Sequence, residues 1–481
     1  MNRSLYPSPE VRSVSPLEVE PVPAERGVFA NRTLNMRAVQ AVGYDMDYTL
    51  IHYRVDEWEG AAFATARDLL AARSWPVASL TFDPDRFTLG LVFDLQLGNL
   101  VKATRFGYVV RAQHGNELLS FDRQREFYQE DVVELSEPRF RFMNTLFELS
   151  RASLFTQLVA IHDAEPLAGV TSYADLYHVI DLALSETHLT GTLKESIVAD
   201  PDRFVVLEPE IVPTLLDQRG AGKQLLLITN SDWSYTSRMM AYAFDRFCPT
   251  GTTWRDLFDI VIVSANKPTF FSRNDPIYRV VDEANSLLHP HYDKLAAGDV
   301  YFGGNARLVE VSLGISGGQP LYVGDHLFGD VHVTKDVLRW RTALIARELE
   351  AEIADAMDFA ERQRQLEALM ARKVRAERRQ AALRLARQHR HDGVSASAVA
   401  RATAKVHALD EEIVPLAQAA AELGNPIWGP LMRAGNDKSL FARQVERYAD
   451  VYTSRVSNFR AETPFAYLRA ARGSLPHDAA T

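Results

Sequence analysis

Asp45 and Asp47 stand two residues apart at the end of the apolar run AVGY, and Thr49 follows at the same spacing. A carboxylate can attack phosphorus and carry the phosphoryl group as an aspartyl-phosphate. A second carboxylate beside it can protonate the leaving oxygen and then take a proton from water, if its pKa lies nearer the working pH than a free aspartate's. Two anions approach each other only when a cation screens them. Mg²⁺ suits that task, because it takes hard oxygen ligands and binds through one or two carboxylates plus substrate phosphate. Side chains two apart in an extended segment share a face, so Asp45 and Asp47 are expected to face one substrate if the chain stays extended there.

Three later clusters complete the same chemistry. KQLLLITNSD ends in Thr229, Asn230, Ser231 and Asp232; DIVIVSANKP ends in Asn266 and Lys267; QPLYVGDHLFGD carries Asp325 and Asp330. Charge developing on phosphoryl oxygens needs fixed donors. Thr229 offers a hydroxyl and backbone N–H groups, and Lys267 offers a positive charge. Asp325 adds a carboxylate for the metal, and Asp330 is placed to hold water there or to orient Lys267. Asp-x-Asp-x-Thr alone occurs in ordinary turns, and TNS, NKP and GDH alone are loop sequences. All four in this order, each at the end of an apolar run, point to phosphoryl transfer.

The elements that must position these residues follow from the runs themselves. Short apolar runs that stop at turn residues suit strands of a parallel sheet buried on both faces, and the first is expected over MRAVQAVGY. PEIVPTLLDQRG and NARLVEVSLG read as helices stopped by Gly220 and Gly314. Alternating helix and strand gives an α/β, doubly wound parallel sheet, whose ligands bind beyond the carboxyl ends of the strands. The long interval between Asp45 and Thr229 exceeds a single crossover, so an inserted domain is expected over 56–199. It holds a strand pair around LGLVFDLQLGNLVKAT and the helices NTLFELSRASLFTQLVAIHD and SYADLYHVIDLALSE. The catalytic core is assigned to 29–55 and 200–348, a flexible Pro-rich N-terminal arm to 1–28, a helical hairpin to 349–425, and a C-terminal segment packing on the core to 426–481. A basic cluster on the hairpin (Arg372, Lys373, Arg375, Arg378, Arg379) reads as a solvated helix face or a subunit contact before it reads as a polyanion site.

The 481 residues exceed one simple core, and 47% hydrophobic with 24% charged residues is ordinary for a soluble globular protein. The net charge of −10 argues against unspecific binding to nucleic acid or an anionic membrane. The single cysteine, Cys248, excludes a disulfide framework and a cysteine-built zinc site within one chain, which fits a reducing cytoplasm. The sequence has neither the apolar core of a signal peptide near residue 1 nor an uninterrupted apolar run of about 18 residues.

With these motifs in place the chain resembles the haloacid dehalogenase (HAD) superfamily. More narrowly, GVFANRTLNMRAVQAVGYDMDYTL, LLLITNSDWSYT, NKPTFF, YVGDHLFGDV and FARQVERYADVYTSRVSNF resemble the cytosolic purine 5′-nucleotidase family of IMP/GMP-preferring type. The resemblance runs from about residue 27 onward and is weakest over 350–425. It implies a HAD Rossmann-like core with a large inserted α+β cap and a C-terminal helical extension. It implies Asp45 as nucleophile, Asp47 as acid/base, and Thr229, Asn230 and Lys267 at the phosphate. Mg²⁺ would be held by Asp45, the backbone carbonyl of Asp47, and Asp325, with Asp330 supporting that set. MNTLFELSRASLFTQLV places a purine-stacking aromatic at Phe147, against the plain reading of a core phenylalanine. GTLKES places a phosphate-side lysine at Lys194. A nucleoside monophosphate substrate, a homo-oligomer and a cytoplasmic location are expected with it.

The chain also departs from that pattern. The positions that would read the base edge fall on Asp181 and Ser185, which leaves the preferred base open. A candidate effector site has partial matches at Asn144, Phe328, Gln444, Arg447 and Tyr448, but Asp336 stands where a lysine is expected. Three functions remain in view: a nucleotidase with phosphotransferase activity, a phosphatase of the same superfamily acting on another phosphomonoester such as a sugar phosphate, and a catalytically silent nucleotide sensor.

Overall fold

Four buried residues, Ala41–Tyr44, form the middle strand around which the molecule is arranged. In this computed structural model residues 22–189, 191–389, 394–471 and 473 are described. Most of the expected N-terminal arm (1–21), the hairpin break at 391–393 and the stretch 474–481 lie outside the described residues.

Ten strands among the described residues make one sheet, and the six pairings at its centre are parallel. Ala41–Tyr44 lies between Pro320–Gly324 and Gln224–Ile228; Ile260–Val263 and Val300–Gly303 continue on one side, Arg341–Ile345 and Val451–Thr453 on the other. The chain therefore reverses its direction of growth between the middle strand and Pro320–Gly324. Such a reversal opens a crevice at the carboxyl ends of the strands. Pairing continues to antiparallel edge strands, Phe29–Ala30 at one end and the hairpin Ile277–Asp282/Leu287–His291 at the other. The expected first strand is shorter than MRAVQAVGY, because the Asn35 side chain accepts from Arg37 N and turns Met36–Ala38 into a short 3-10 helix.

Two glycines make the centre possible. Gly43 pairs with Tyr322, and a Cβ on it would stand 2.9 Å from the Tyr322 ring. A Cβ on Gly324 would stand 2.3 Å from the Asp330 carboxylate. The helix Ala306–Leu313 stops at Gly314 in left-handed conformation, as its sequence suggests. The helix Ile211–Gly220 instead includes its glycine, and the left-handed residue is Gly222.

Between the middle strand and Gln224–Ile228 the chain builds a second layer. The expected strand pair is present as Val92–Asp94 and Asn99–Ala103, within a five-stranded antiparallel sheet. The helices Val55–Ala71, Leu149–Ala164 and Tyr173–Leu189 pack together with it. Buried Lys102 ties this layer to the later chain by donating to the carbonyls of Trp428 (2.6 Å) and Pro430 (2.5 Å).

After the last core helix the chain runs through Leu349–Asp358 and Ala360–Gln388 and returns along Ala396–Ala421. The first of these segments is interrupted at Phe359, which is buried, so one expected long helix is two. Val451–Thr453 then enters the main sheet between Arg341–Ile345 and Phe29–Ala30. No helix among the described residues is long and apolar enough to cross a membrane.

Candidate active site

The crevice at the carboxyl ends of the three central strands receives Asp45, Thr229 and Asp325 directly, because each is the residue that follows a strand. Lys267 reaches the same place from the loop after Ile260–Val263. Its Nζ lies 2.7 Å from Asp45 Oδ1 and 2.8 Å from Asp330 Oδ1. It also donates to the Tyr322 hydroxyl at 3.1 Å, which in turn donates to Ile228 O at 2.9 Å. Asp330 comes from a π-helical turn, Leu327–His332, and accepts from His326 N at 3.2 Å. Asp325 has the Thr145 hydroxyl as donor at 3.0 Å, so the inserted layer touches the core within the site.

Asp45, Asp325 and Asp330 each offer a carboxylate oxygen, and these atoms lie within 4.8 Å of one another. Burial pushes Asp45 up to about 6; Lys267 opposes this and Asp330 adds to it. Asp325 is driven well above the usual carboxylate range by burial and by the two neighbouring carboxylates. Burial alone would lower Lys267, but Asp330 and Asp45 outweigh it and hold the ammonium charged. With one lysine beside three buried carboxyl groups, full ionisation of all three calls for a further cation. That donor set fits a hard divalent cation with oxygen ligands.

Asp47 is handled separately. The sheet pairing reaches Asp45, whose N–H donates to Val323 O at 2.9 Å, and the chain then turns: Met46 O accepts from the amides of Thr49, Leu50 and Ile51, and Tyr48 takes a φ of 54°. The loop turns the Asp47 carboxylate toward Tyr53, whose hydroxyl donates at 2.6 Å, and toward Ser231, whose hydroxyl donates at 2.7 Å. Lys194 stands behind Ser231 at 3.2 Å and over the Tyr235 ring at 4.8 Å. Burial raises the Asp47 pKa; Lys194 and the Tyr53 hydrogen bond oppose the rise. The two aspartates therefore part into different surroundings, one against a lysine and one against hydroxyls.

Thr229 is buried and its hydroxyl accepts from Ser231 N at 3.1 Å. Asn230 faces the lysine loop: its side chain accepts from Lys267 N at 2.6 Å and donates to Lys267 O at 3.1 Å. It positions that loop.

A family model described as the 5′ nucleotidase family matches residues 28–480. The chain belongs to the 5′ nucleotidase family. With the family comes its class of activity, phosphoric monoester hydrolysis. A human relative, 5′-nucleotidase domain-containing protein 2, is 28% identical over 496 residues, covering 98% of this chain and 88% of the relative. Among solved structures, an archaeal β-phosphoglucomutase from Pyrococcus sp. strain ST 04 aligns with 12% identity and a TM-score of 0.31, over 64% of this chain and 86% of that one. The overlay is too loose to carry any argument.

In the inserted layer, Phe147 lies half-buried on the 3-10 turn Leu146–Glu148. Its ring meets Tyr48 edge-on at 4.8 Å and Trp58 at 5.6 Å, and Tyr48 continues to Tyr53 at 5.4 Å. An aromatic wall thus runs from Phe147 to the Asp47 partner. Asp181 is held by Arg151 at 2.7 Å, and Arg151 is held again by Glu148 at 2.7 Å; Ser185 is exposed on the same helix as Asp181.

The residues matched to an effector site also meet. Phe328 N donates to Asn144 Oδ1 at 3.2 Å, and the Phe328 and Tyr448 rings lie 6.4 Å apart. The His332 ring lies tilted against Tyr448, with centroids 4.0 Å apart, and bonds Asp336 at 3.0 Å. Gln444 is buried one turn before Tyr448, and the Arg447 guanidinium lies 5.0 Å over the Tyr448 ring.

Four site residues carry no motif of their own: Tyr53, Thr145, Ser231 and Tyr322. Ser231 stands inside the TNSD run and Tyr322 two residues before VGD's glycine, so proximity to a motif was the signal for both. Thr145 stands two residues before Phe147 in MNTLFELSRASLFTQLV, and Tyr53 had no such neighbour.

Proposed function

We propose that this protein is a Mg²⁺-dependent 5′-nucleotidase that hydrolyses purine nucleoside 5′-monophosphates to nucleoside and phosphate through an aspartyl-phosphate. The observation that carries the reading is the meeting of Asp45, Asp325, Asp330 and Lys267 in one buried cluster, with Asp47 held apart by two hydroxyls. Asp45, Asp325 and the Asp47 carbonyl would hold Mg²⁺, which supplies charge neutralisation for the attacking carboxylate and the phosphoryl oxygens.

The remaining work falls to the chain. A carboxylate oxygen of Asp45 attacks phosphorus, and the bond from phosphorus to the ribose 5′ oxygen breaks. Asp47, whose raised pKa favours the protonated form, delivers its proton to that leaving oxygen. Asp47 then takes a proton from water as the water attacks the phosphorylated Asp45, which releases phosphate and restores the Asp45 carboxylate and the protonated Asp47. Thr229, Lys267 and Lys194 supply donors and positive charge to the phosphoryl oxygens. Phe147 offers a ring to the base. If a nucleoside hydroxyl replaces water in the second step, the same groups perform phosphotransfer. The convergence of Asn144, Phe328, Gln444, Arg447 and Tyr448 supports a nucleotide effector beside this site as a further part of the proposal.

A second reading keeps the chemistry and changes the substrate to another phosphomonoester. It is favoured by the ion pair of Asp181 with Arg151, which engages a position expected to read the base. The deciding experiment is phosphate release from purine and pyrimidine 5′-monophosphates and sugar phosphates, with Mg²⁺ and with EDTA, using Asp45→Asn as the blank. Mg²⁺-dependent release confined to nucleotides supports the first reading. Release from other esters alone selects the second. No release from any of them removes both.

A further inference from the structure

Both oxygens of the Asp47 carboxyl are met by a hydroxyl, and each hydroxyl is itself met by a second group. Tyr53 belongs to a two-stranded pairing, His52–Tyr53 with Val205–Val206, where the chain enters and leaves the inserted layer. Its ring is fully buried, with centroids 4.3 Å from Trp58 and 5.4 Å from Tyr48. Aromatic packing fixes that ring, and a phenylalanine would fill the same space. The hydroxyl is the part that packing does not require. It lies 2.6 Å from Asp47 Oδ1 and 3.1 Å from the Tyr235 hydroxyl.

The direction of these bonds follows from counting protons. Tyr235 is buried, and among the described residues Tyr53 is the one hydrogen-bond partner of its hydroxyl. A buried O–H without an acceptor is costly, so Tyr235 donates to Tyr53. The single Tyr53 hydroxyl proton then goes to Asp47 Oδ1. On the other side the Ser231 hydroxyl oxygen accepts from Lys194 Nζ at 3.2 Å, and its proton goes to Asp47 Oδ2 at 2.7 Å. A carboxyl carries its own proton on a lone pair that no donor occupies. Asp47 keeps some exposed surface, whereas Tyr53, Ser231 and Tyr235 are buried. The two hydroxyls therefore keep that proton off their own side and leave it the open one.

We propose that Tyr53, backed by Tyr235, is a positioning residue for the acid: its hydroxyl holds one Asp47 oxygen as an acceptor, so that the carboxyl proton points at the leaving oxygen of the phosphate ester. The assignment rests on Asp47 being the acid of the proposed nucleotidase. As phosphorus passes to Asp45, the bond from phosphorus to the leaving oxygen breaks, and the electron pair of that oxygen takes the Asp47 proton as a new O–H bond. Asp47 is left an anion with the Tyr53 and Ser231 protons already aimed at it. Hydrogen bonds to a carboxylate are stronger than those to a neutral carboxyl, so both tighten as the proton departs and favour the transition state over the bound ester.

The test is steady-state kinetics of the full-length protein with Mg²⁺ on two esters. Inosine 5′-monophosphate has an alkoxide leaving group that needs the proton, and p-nitrophenyl phosphate has one that departs without it. The quantity read is kcat/KM, which covers the steps up to departure of the leaving group. Tyr53→Phe is expected to lower it about 10–100-fold for the nucleotide, the loss of a hydrogen bond to a charged group, and less than about 2-fold for the aryl ester. Tyr235→Phe is expected to lower it about 3–5-fold for the nucleotide alone, and provides the reading should Tyr53→Phe not fold. A displaced site would lower both esters alike. With the parent active and Asp45→Asn inactive, equal losses on the two esters, or an unchanged value for the nucleotide in both variants, overturns the proposal alone. A parent that releases no phosphate from the nucleotide overturns the nucleotidase reading and the proposal with it.

Discussion

At the carboxyl edge of the main sheet, Asp45, Asp325, Asp330 and Lys267 are buried within reach of one another. Along the paired helices Ala360–Gln388 and Ala396–Ala421, Arg372, Arg375, Arg378 and Arg379 stand exposed, and Leu369, Leu409 and Ile413 form a small buried seam. Both regions are dense in charge. In the first, burial weakens screening, so each charge alters the protonation of its neighbours. In the second, pairs such as Arg372–Glu412 at 3.9 Å lie in water, where an ion pair contributes about 0–1 kcal/mol. The lesson is that environment decides which charged cluster does chemistry, and the count of charges does not.

The sharpest way to break this contrast is Asp45→Asn. Phosphate release is expected to fall at least about 10³-fold while a nucleotide still binds, measured by turnover and by equilibrium binding. Retained turnover would return the buried cluster to a structural role. Next comes Lys267→Met, which leaves Asp45 and Asp330 buried without their cation. A loss of about 3–5 kcal/mol is expected in denaturant melts without added metal, and Mg²⁺ should recover part of it. An unchanged melt would mean the lysine does not neutralise the cluster.

Glu59 sharpens the contrast through pH. It is fully buried beside the site, accepts from Ser150 N at 2.9 Å, and is raised by burial from 4.5 to about 7. A raised acid contributes stability that is fully present below its unfolded pKa and is lost as pH rises through the folded value. The chain should therefore lose stability between about pH 4.5 and 7 from this group, by at most about 3 kcal/mol. Glu59→Gln should flatten that slope in melts across the range; a parallel shift at every pH would contradict it.

On the helical side the effects shrink. Leu369→Ala is expected to cost about 2 kcal/mol, read as faster hydrogen exchange within the paired helices, with phosphate release within about twofold of the parent. Arg375→Gln with Arg379→Gln is expected to change stability by less than about 0.5 kcal/mol. A large loss of activity in that double variant would erase the distinction between the two regions.

What the sequence revealed follows the same division. The strands leading to Asp45, Thr229, Lys267 and Asp325 were legible because each apolar run stops at a polar residue that has no place in a buried strand. The helices Leu149–Ala164 and Tyr173–Leu189 were legible from composition and length. The partners were not. Thr145 and Asp325 are 180 positions apart, and Lys267 and Tyr322 are 55 apart, so nothing local signals their hydrogen bonds. The turn that begins at Met46 was not legible either. The amides of Thr49, Leu50 and Ile51 all converge on Met46 O, and spacing alone carries no trace of that loop. The three further strands of the inserted sheet, and the entry of Val451–Thr453 into the main sheet, depend on pairing across long separations in the same way.

That late strand has a consequence during synthesis. Val451–Thr453 pairs with Arg341–Ile345 on one side and Phe29–Ala30 on the other, so the flank of the sheet is completed by residues made long after it. At ribosomal rates the interval from Ile345 to Val451 lasts roughly 5–20 s. Throughout it, Ala343, Leu344 and Ile345 lie along an open strand edge, the kind of surface that invites pairing with another nascent chain. Speed of translation over the arginine-rich helices therefore sets how long that edge waits, giving a surface segment remote from the chemistry a hold on how much protein reaches its native state.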